Sequence, residues 1–167
     1  DRHADGPRRD KPALIWDGKN GEHEQYTFGA LKTLTNRFAN VLKSLGIGRG
    51  DRVCLYLDRL PELYVAFLGI LKIGAIVVPL SSHIEPDSLR KKLSHGAVKV
   101  VVTQPELRRR MAAIIYELFD LQHILVVNKN ERDPAPIDTA DLSYDEEMAK
   151  APADFDVVPV NQYDHSV

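Results

Sequence analysis

Arg52-Val53-Cys54-Leu55-Tyr56-Leu57, the run Pro61 to Ile73, Gly74, and Ala75-Ile76-Val77-Val78-Pro79 together decide the fold of this chain. Val53 to Leu57 is a continuous apolar run with little alternation, as expected of a strand covered by helices on both faces. Pro61 to Ile73 is helical in pattern, with proline at its first position and Gly74 at its end. Strand, helix and strand joined by short connections predict a parallel βαβ unit. The same grammar then repeats. Pro86 to His95 reads as a helix ending at Gly96, Val98 to Val102 as a strand, Pro105 to Phe119 as a helix and Ile124 to Val127 as a strand.

Upstream, Ala13-Leu14-Ile15-Trp16 and Gln25-Tyr26-Thr27 are short strand-like runs separated by the turn residues Asp17-Gly18-Lys19-Asn20-Gly21. This predicts a β-hairpin with a longer loop. Thr27 stands where a helix N-cap belongs. After it, Leu31, Leu34, Phe38, Val41, Leu42 and Leu45 recur at spacings of three and four, the apolar face of an amphipathic helix. Gly46 supplies the left-handed stop. The expected class is therefore α/β: an N-terminal β-hairpin and helix, then a βαβαβαβ, largely parallel sheet with helices on both faces.

Downstream the composition changes. Between Asn130 and Asp156 there are nine acidic residues against two basic, with Pro134, Pro136 and Pro152. This predicts an excursion over the surface, with one short helix near Tyr144 to Ala149. Residues 1–129 are read as one α/β unit, 130–160 as the acidic excursion, and 161–167 as the start of a further strand.

Composition excludes several classes. Hydrophobic residues make up 44% and charged residues 28%, an ordinary globular balance, and the net charge of −2 does not point to nucleic acid. No apolar run reaches the roughly 20 residues that span a bilayer. Cys54 is the single cysteine, so no internal disulfide can form. With no secretory signature, a reducing cytoplasm is the expected compartment. The polar start Asp1-Arg2-His3-Ala4-Asp5 has neither a signal peptide nor an initiator methionine, and suggests a cut N-terminus.

Few side chains form a chemical constellation. Gly46-Ile47-Gly48-Arg49-Gly50 is glycine-rich but follows a helix, where the dipole has the wrong sign for an anion, so turn chemistry explains it. Asp51, in an Arg-Gly-Asp tripeptide, is expected to satisfy turn backbone. The six histidines are scattered without ligand spacing, and no metal is assigned. Cys54, inside an apolar strand, is expected to act as a small hydrophobe. Ser81, Ser82 and His83 follow a parallel strand, at the end of a sheet where ligands bind, but no Gly-x-Ser-x-Gly elbow accompanies them. Arg108, Arg109 and Arg110 are the best local candidate. Leu107, Met111, Ile114, Ile115 and Leu118 share one helix face, so Arg109 should point to solvent while Arg108 and Arg110 flank the apolar stripe. Three guanidiniums suit phosphate oxygens. The alternative is a solvated face whose arginine stems cover the core edge.

Tyr26-Thr27-Phe28-Gly29-Ala30-Leu31 and Leu71-Lys72-Ile73-Gly74-Ala75-Ile76-Val77-Val78-Pro79-Leu80 resemble opening motifs of the AMP-forming acyl-CoA synthetases. Pro12-Ala13-Leu14-Ile15-Trp16, Asn36-Arg37-Phe38-Ala39-Asn40, Gly50-Asp51-Arg52-Val53, Pro61-Glu62-Leu63 and Lys99-Val100-Val101-Val102-Thr103 extend the resemblance towards the acetyl-CoA synthetases. It runs from Asp1 to about Val127 and returns near Asp164.

The resemblance implies a two-step ligase. A carboxylate, acetate or another short-chain acid, attacks ATP to give an acyl-adenylate, and CoA then displaces AMP. ATP and CoA would be substrates, with Mg expected. It also implies that Tyr163-Asp164-His165-Ser166-Val167 leads into a phosphate-binding loop beyond the chain, so no ATP or AMP contact and no catalytic residue falls on these residues. In the acetyl-CoA synthetases, arginines after the Val-Val-Thr strand contact CoA phosphates. That position falls at Arg108 to Arg110, with Arg109 the nearest match, and Ala112 stands where a second arginine is expected. The chain alone should then be inactive and prone to self-association through surface exposed by truncation. Its rivals are a stand-alone flavodoxin-like binding module, with a crevice near Ser81 to Glu85, and a non-catalytic interaction piece.

Overall fold

A computed structural model of the chain describes residues 1–129, 138–161 and 164. Strands β1 (Pro12–Asp17) and β2 (His23–Thr27) form the antiparallel hairpin that the turn residues predict. Thr27 caps helix α1 (Phe28–Ser44), its hydroxyl accepting from the Ala30 N–H at 3.1 Å. Gly46 follows with φ +76°, a left-handed conformation that suits only glycine here.

The main sheet holds β3 (Arg52–Tyr56), β4 (Ile76–Pro79), β5 (Val100–Thr103), β6 (His123–Val126) and β7 (Leu142–Ser143). Its spatial order is β4-β3-β5-β6-β7, and every pairing is parallel. Helices α2 (Pro61–Lys72), α3 (Pro86–His95) and α4 (Pro105–Met111) carry the crossovers. The order reverses at β3, so the crossovers fall on both faces of the sheet. One core packs α1 and α2 through Phe38, Leu42 and Ile70 against Val53, Leu55, Val100 and Val102. The other packs α3 and α4 through Leu89, Leu93, Leu107 and Met111 against Cys54, Tyr56 and Val101. The in-and-out alternation of β3 and β5 thus feeds two apolar layers, which is why Val53 to Tyr56 and Val100 to Val102 run without polar alternation.

Two expectations need correction. The helix expected over Pro105 to Phe119 stops at Met111 and is replaced by turns and a 3-10 segment, Ile115–Glu117. The apolar stripe still points inward at Leu107, Met111, Ile114 and Leu118, but Tyr116 and Phe119 are 86% and 94% exposed. A tight turn can bury the same spacing as a continued helix. The acidic stretch also runs over the surface only in part. From residue 138 it returns to the sheet as β7 and then as α5 (Tyr144–Lys150), whose Tyr144 and Met148 are buried in the α1 and α2 core. Tyr144 stacks on Phe38 with ring centroids 5.5 Å apart. The strand expected over 161–167 lies outside the described residues, apart from 161 and 164.

Candidate functional site

In a doubly wound sheet the loops after the strands gather at one edge, and ligands bind where the strand order reverses. Here that point lies between the carboxyl ends of β3 and β5. Asp58 follows β3 and Gln104 follows β5, and they close the gap reciprocally. The Asp58 N–H donates to Gln104 Oε1 and Gln104 Nε2 donates to Asp58 Oδ2, both at 3.0 Å. The open space lies beside this pair. A cleft of about 1010 Å³ is bounded by the β1–β2 hairpin, the loop Leu57–Leu60 and the loop Leu80–His83. A smaller hollow of about 530 Å³, near Phe28, Leu68 and Lys72, lies against α1 and α2, away from the strand ends. Sheet topology makes the larger cleft the candidate.

One wall of the cleft is a charged cluster. Lys129, just beyond β6, pairs with Glu24 at 2.8 Å and Glu62 at 3.1 Å, and its ammonium lies 5.0 Å from the centroid of the Trp16 ring. Tyr26 donates to the second oxygen of Glu24, and Trp16 Nε1–H donates to the Arg59 carbonyl at 2.6 Å. Burial pushes the Glu62 carboxyl up, the Lys129 charge opposing it, and its Oε2 is buried without a hydrogen-bond partner. Burial alone would lower the Lys129 amine, but the two glutamates carry it above its ordinary value. The cluster pins the hairpin to the main sheet. Its members are separated by up to about a hundred residues, so no local pattern announces it.

The arginines of α4 do not line the cleft; Arg110 reaches the loop that bounds it, and the structure separates the roles of the three. Arg108 is 3% exposed. Its Nε donates to both oxygens of Asp141, at 3.0 and 2.9 Å, and Asp138 lies 3.8 Å from Nη2. It therefore does not flank the stripe at the surface, as expected, but is drawn inside by a carboxylate 33 residues away. Arg109 and Arg110 are exposed. Arg110 donates to the Ser82 carbonyl at 3.1 Å and to Glu106, which brings α4 against the Ser81–His83 loop. Beneath lie two hydroxyls without hydrogen-bond partners, those of Tyr56 and Thr103, which sit side by side in the sheet register. Burial raises the Tyr56 phenol, and the nearby Arg110 cation partly opposes this.

Other sequence candidates take structural places. Asp51 accepts the Gly48 N–H at 3.0 Å, closing the turn as expected. Cys54 is fully buried and its thiol is pushed up by burial, which disarms it as a nucleophile. His83 and Ser82 touch at 3.3 Å on the exposed loop, and among the described residues no third side chain bonds to the pair. Among the described residues no group of three His, Cys, Asp or Glu side chains is placed to hold a metal, and no helix is long and apolar enough to cross a membrane. What the arrangement offers chemically is two exposed guanidiniums beside a serine loop, a setting for phosphate oxygens.

Comparison with known proteins agrees with this architecture. The family model described as AMP-binding enzyme matches residues 1–163. Acetyl-coenzyme A synthetase of Gemmatimonas aurantiaca is 38% identical over 136 residues, covering 76% of this chain and 21% of the relative. Acetyl-coenzyme A synthetase of Bacillus subtilis is 40% identical over 148 residues, covering 87% and 24%. 3-Hydroxypropionyl-coenzyme A synthetase of Metallosphaera sedula is 32% identical over 158 residues, covering 87% and 24%. The chain thus spans about a quarter of the length of these relatives. Among solved structures, an acyl-CoA synthetase of Brucella canis superposes with a TM-score of 0.86 over 98% of this chain and 28% of its own, at 24% identity. An anthranilate CoA ligase solved with anthranoyl-AMP gives the same TM-score and identity, over 98% and 29%. At that identity the two structures speak for the fold.

Proposed function

Because the chain belongs to the AMP-binding enzyme family, we propose that it supplies the N-terminal α/β part of an acyl-CoA synthetase acting on a short-chain acid, acetate first. The observation that carries this is the match to acetyl-coenzyme A synthetases at 38% and 40% identity over three quarters or more of the chain. ATP and CoA are then the substrates of the whole enzyme. Mg accompanies the ATP, since divalent ions offset the charge that develops on phosphate oxygens.

Within this part, Arg109 and Arg110 are the groups that meet CoA phosphates. Both are exposed, Arg110 lies against the Ser81–His83 loop, and guanidinium forks match phosphate geometry. Arg108 is committed to Asp141 and is not a contact. The chain by itself is not expected to catalyse, since the one hydroxyl–imidazole contact in the cleft, Ser82 with His83, lies on an exposed loop and the resemblance places the catalytic groups beyond these residues. The rival reading, a self-sufficient flavodoxin-like binding module, meets an obstacle. The Asp58–Gln104 pair closes the gap between the ends of β3 and β5, which leaves such a module only the open cleft beside Ser81 to His83.

The test is a hybrid in which residues 1–163 replace the matching quarter of the Bacillus subtilis relative. Acetate-dependent ATP–pyrophosphate exchange should appear in the hybrid and be absent from the 167-residue chain. A folded hybrid that exchanges with no short-chain acid would refute the assignment, and exchange by the chain alone would refute its inactivity.

A further inference from the structure

The three consecutive arginines of α4 look interchangeable in sequence, yet only one of them is buried. We propose that Arg108 is a positioning residue: locked to Asp141, it sets the orientation in which α4 presents Arg109 and Arg110 to a phosphate-bearing ligand. This rests on the reading of Arg109 and Arg110 as phosphate contacts given above.

Helix α4 has only seven residues and no side-chain N-cap, and it ends at Met111. A helix this short has little stability of its own, so tertiary contacts decide where it lies. Two of those contacts are apolar, Leu107 and Met111, and point into the α3 and α4 core. They lie one turn apart along a single stripe and so set the roll of the helix only loosely. The third inward contact is Arg108. Its Nε is shared between both oxygens of Asp141, whose side chain is 2% exposed.

Asp141 is itself held. It accepts the Asp138 N–H at 3.3 Å, its own N–H donates to the Asp138 carbonyl at 3.0 Å, and β7 begins at the next residue. The pair therefore ties the roll of α4 to the sheet. On a helix, Arg109 and Arg110 lie about 100° and 200° around from Arg108. Fixing Arg108 inward fixes both of them outward, and the Arg110 bond to the Ser82 carbonyl shows one already set against the loop. A phosphate site needs guanidiniums held in geometry rather than merely nearby, because displacement of about 1 Å can cost two orders of magnitude.

The experiment titrates CoA into the 167-residue chain by calorimetry, with circular dichroism as the check on folding. Arg109→Ala should weaken CoA binding about tenfold, the scale of one lost charged contact. Asp141→Asn, which touches no ligand, should weaken it about as much, the scale of coupling between neighbouring groups. The paired change Arg108→Met with Asp141→Leu replaces the buried ion pair by apolar packing, which proteins often tolerate. It should bring affinity back to within about threefold of the parent. It also carries the test if Asp141→Asn alone does not fold. Parent-like affinity in Asp141→Asn would sink the positioning role. A paired variant that folds but stays weak would do the same, by making Arg108 a direct contact. If the parent chain does not bind CoA, or Arg109→Ala leaves binding unchanged, the phosphate reading itself fails and this inference with it.

Discussion

Lys72, at the end of α2, shows how one buried charge shapes the stability profile. Its side chain is 11% exposed, hydrogen-bonded to Asn36 Oδ1 at 2.6 Å and 2.8 Å from Asp1 Oδ1. Burial, and next the Lys32 charge, lower its amine from 10.5 to about 8, with Asp5 opposing. Asp1 also draws the other way, but its carboxylate is partly solvated and its pull is screened. Between about 8 and 10.5 the unfolded chain holds a proton here that the folded chain has given up, so stability rises with pH across that window. Below about 8 both states are charged and the full penalty remains. Urea midpoints measured from pH 7 to 10 should climb more steeply in the parent than in Lys72→Met. Parallel profiles would show that the lysine is not strained. Residue-scale facts of this kind were the least legible in sequence. Arg108 reads as a flank of the apolar stripe because the acidic residue beside it in the chain, Glu106, pairs with Arg110; its own partner, Asp141, lies in a stretch that reads as a surface excursion.

Element by element, legibility followed the strength of the periodicity. Helix α1 was readable end to end, since Thr27, six apolar positions and Gly46 all agree on its bounds. Helix α4 was readable only in its inward face. Leu107, Met111, Ile114 and Leu118 are buried as the spacing requires, yet the backbone leaves the helix after Met111. Strand β7 has two residues and no hydrophobic signature, so only its pairing with β6 defines it. The contact between α1 and α2 is set by a different feature, Gly69. A Cβ there would sit 2.8 Å from Phe38 Cδ1 and 3.0 Å from the Thr35 carbonyl oxygen. The phenyl ring could swing aside, but the helical carbonyl cannot. Gly69→Ala gains about 1 kcal/mol of helix propensity and meets an overpacking cost of typically 1–3 kcal/mol. With a backbone atom in the way the cost should win, by about 1 kcal/mol. A higher urea midpoint in Gly69→Ala would mean that the two helices slide apart at little expense.

At the scale of the whole molecule, the parallel sheet and its two-sided cover were legible because β3, β5 and β6 carry continuous apolar runs, broken only at one end of each by Arg52, Thr103 and His123. What the sequence could not reveal is how the end of the acidic stretch is fastened down. Helix α1 does this with side-chain amides. Asn36 Nδ2 donates to the Ala153 carbonyl at 2.9 Å, and Asn40 Nδ2 donates to the carbonyls of Pro152 at 2.9 Å and Asp154 at 2.8 Å. Arg37 adds a bond to the Met148 carbonyl at 3.2 Å. The stretch from 151 to 160 has no regular secondary structure of its own, so these bonds replace the ladder it lacks. Each contributes about 1 kcal/mol, and their loss should act locally, by raising the fraction of molecules in which this stretch lifts off. Asn40→Ala, which removes two of these bonds and leaves the Asn36–Lys72 bond intact, should therefore speed limited proteolysis within 151–160 by about tenfold, because cleavage tracks the open population when reclosing is fast. Cleavage elsewhere in the chain should stay near the parent rate. Uniform acceleration at all sites would instead place the amides in the global fold. An unchanged rate within 151–160 would mean that apolar contacts such as Phe155 against the α1 and α2 core suffice to hold the stretch in place.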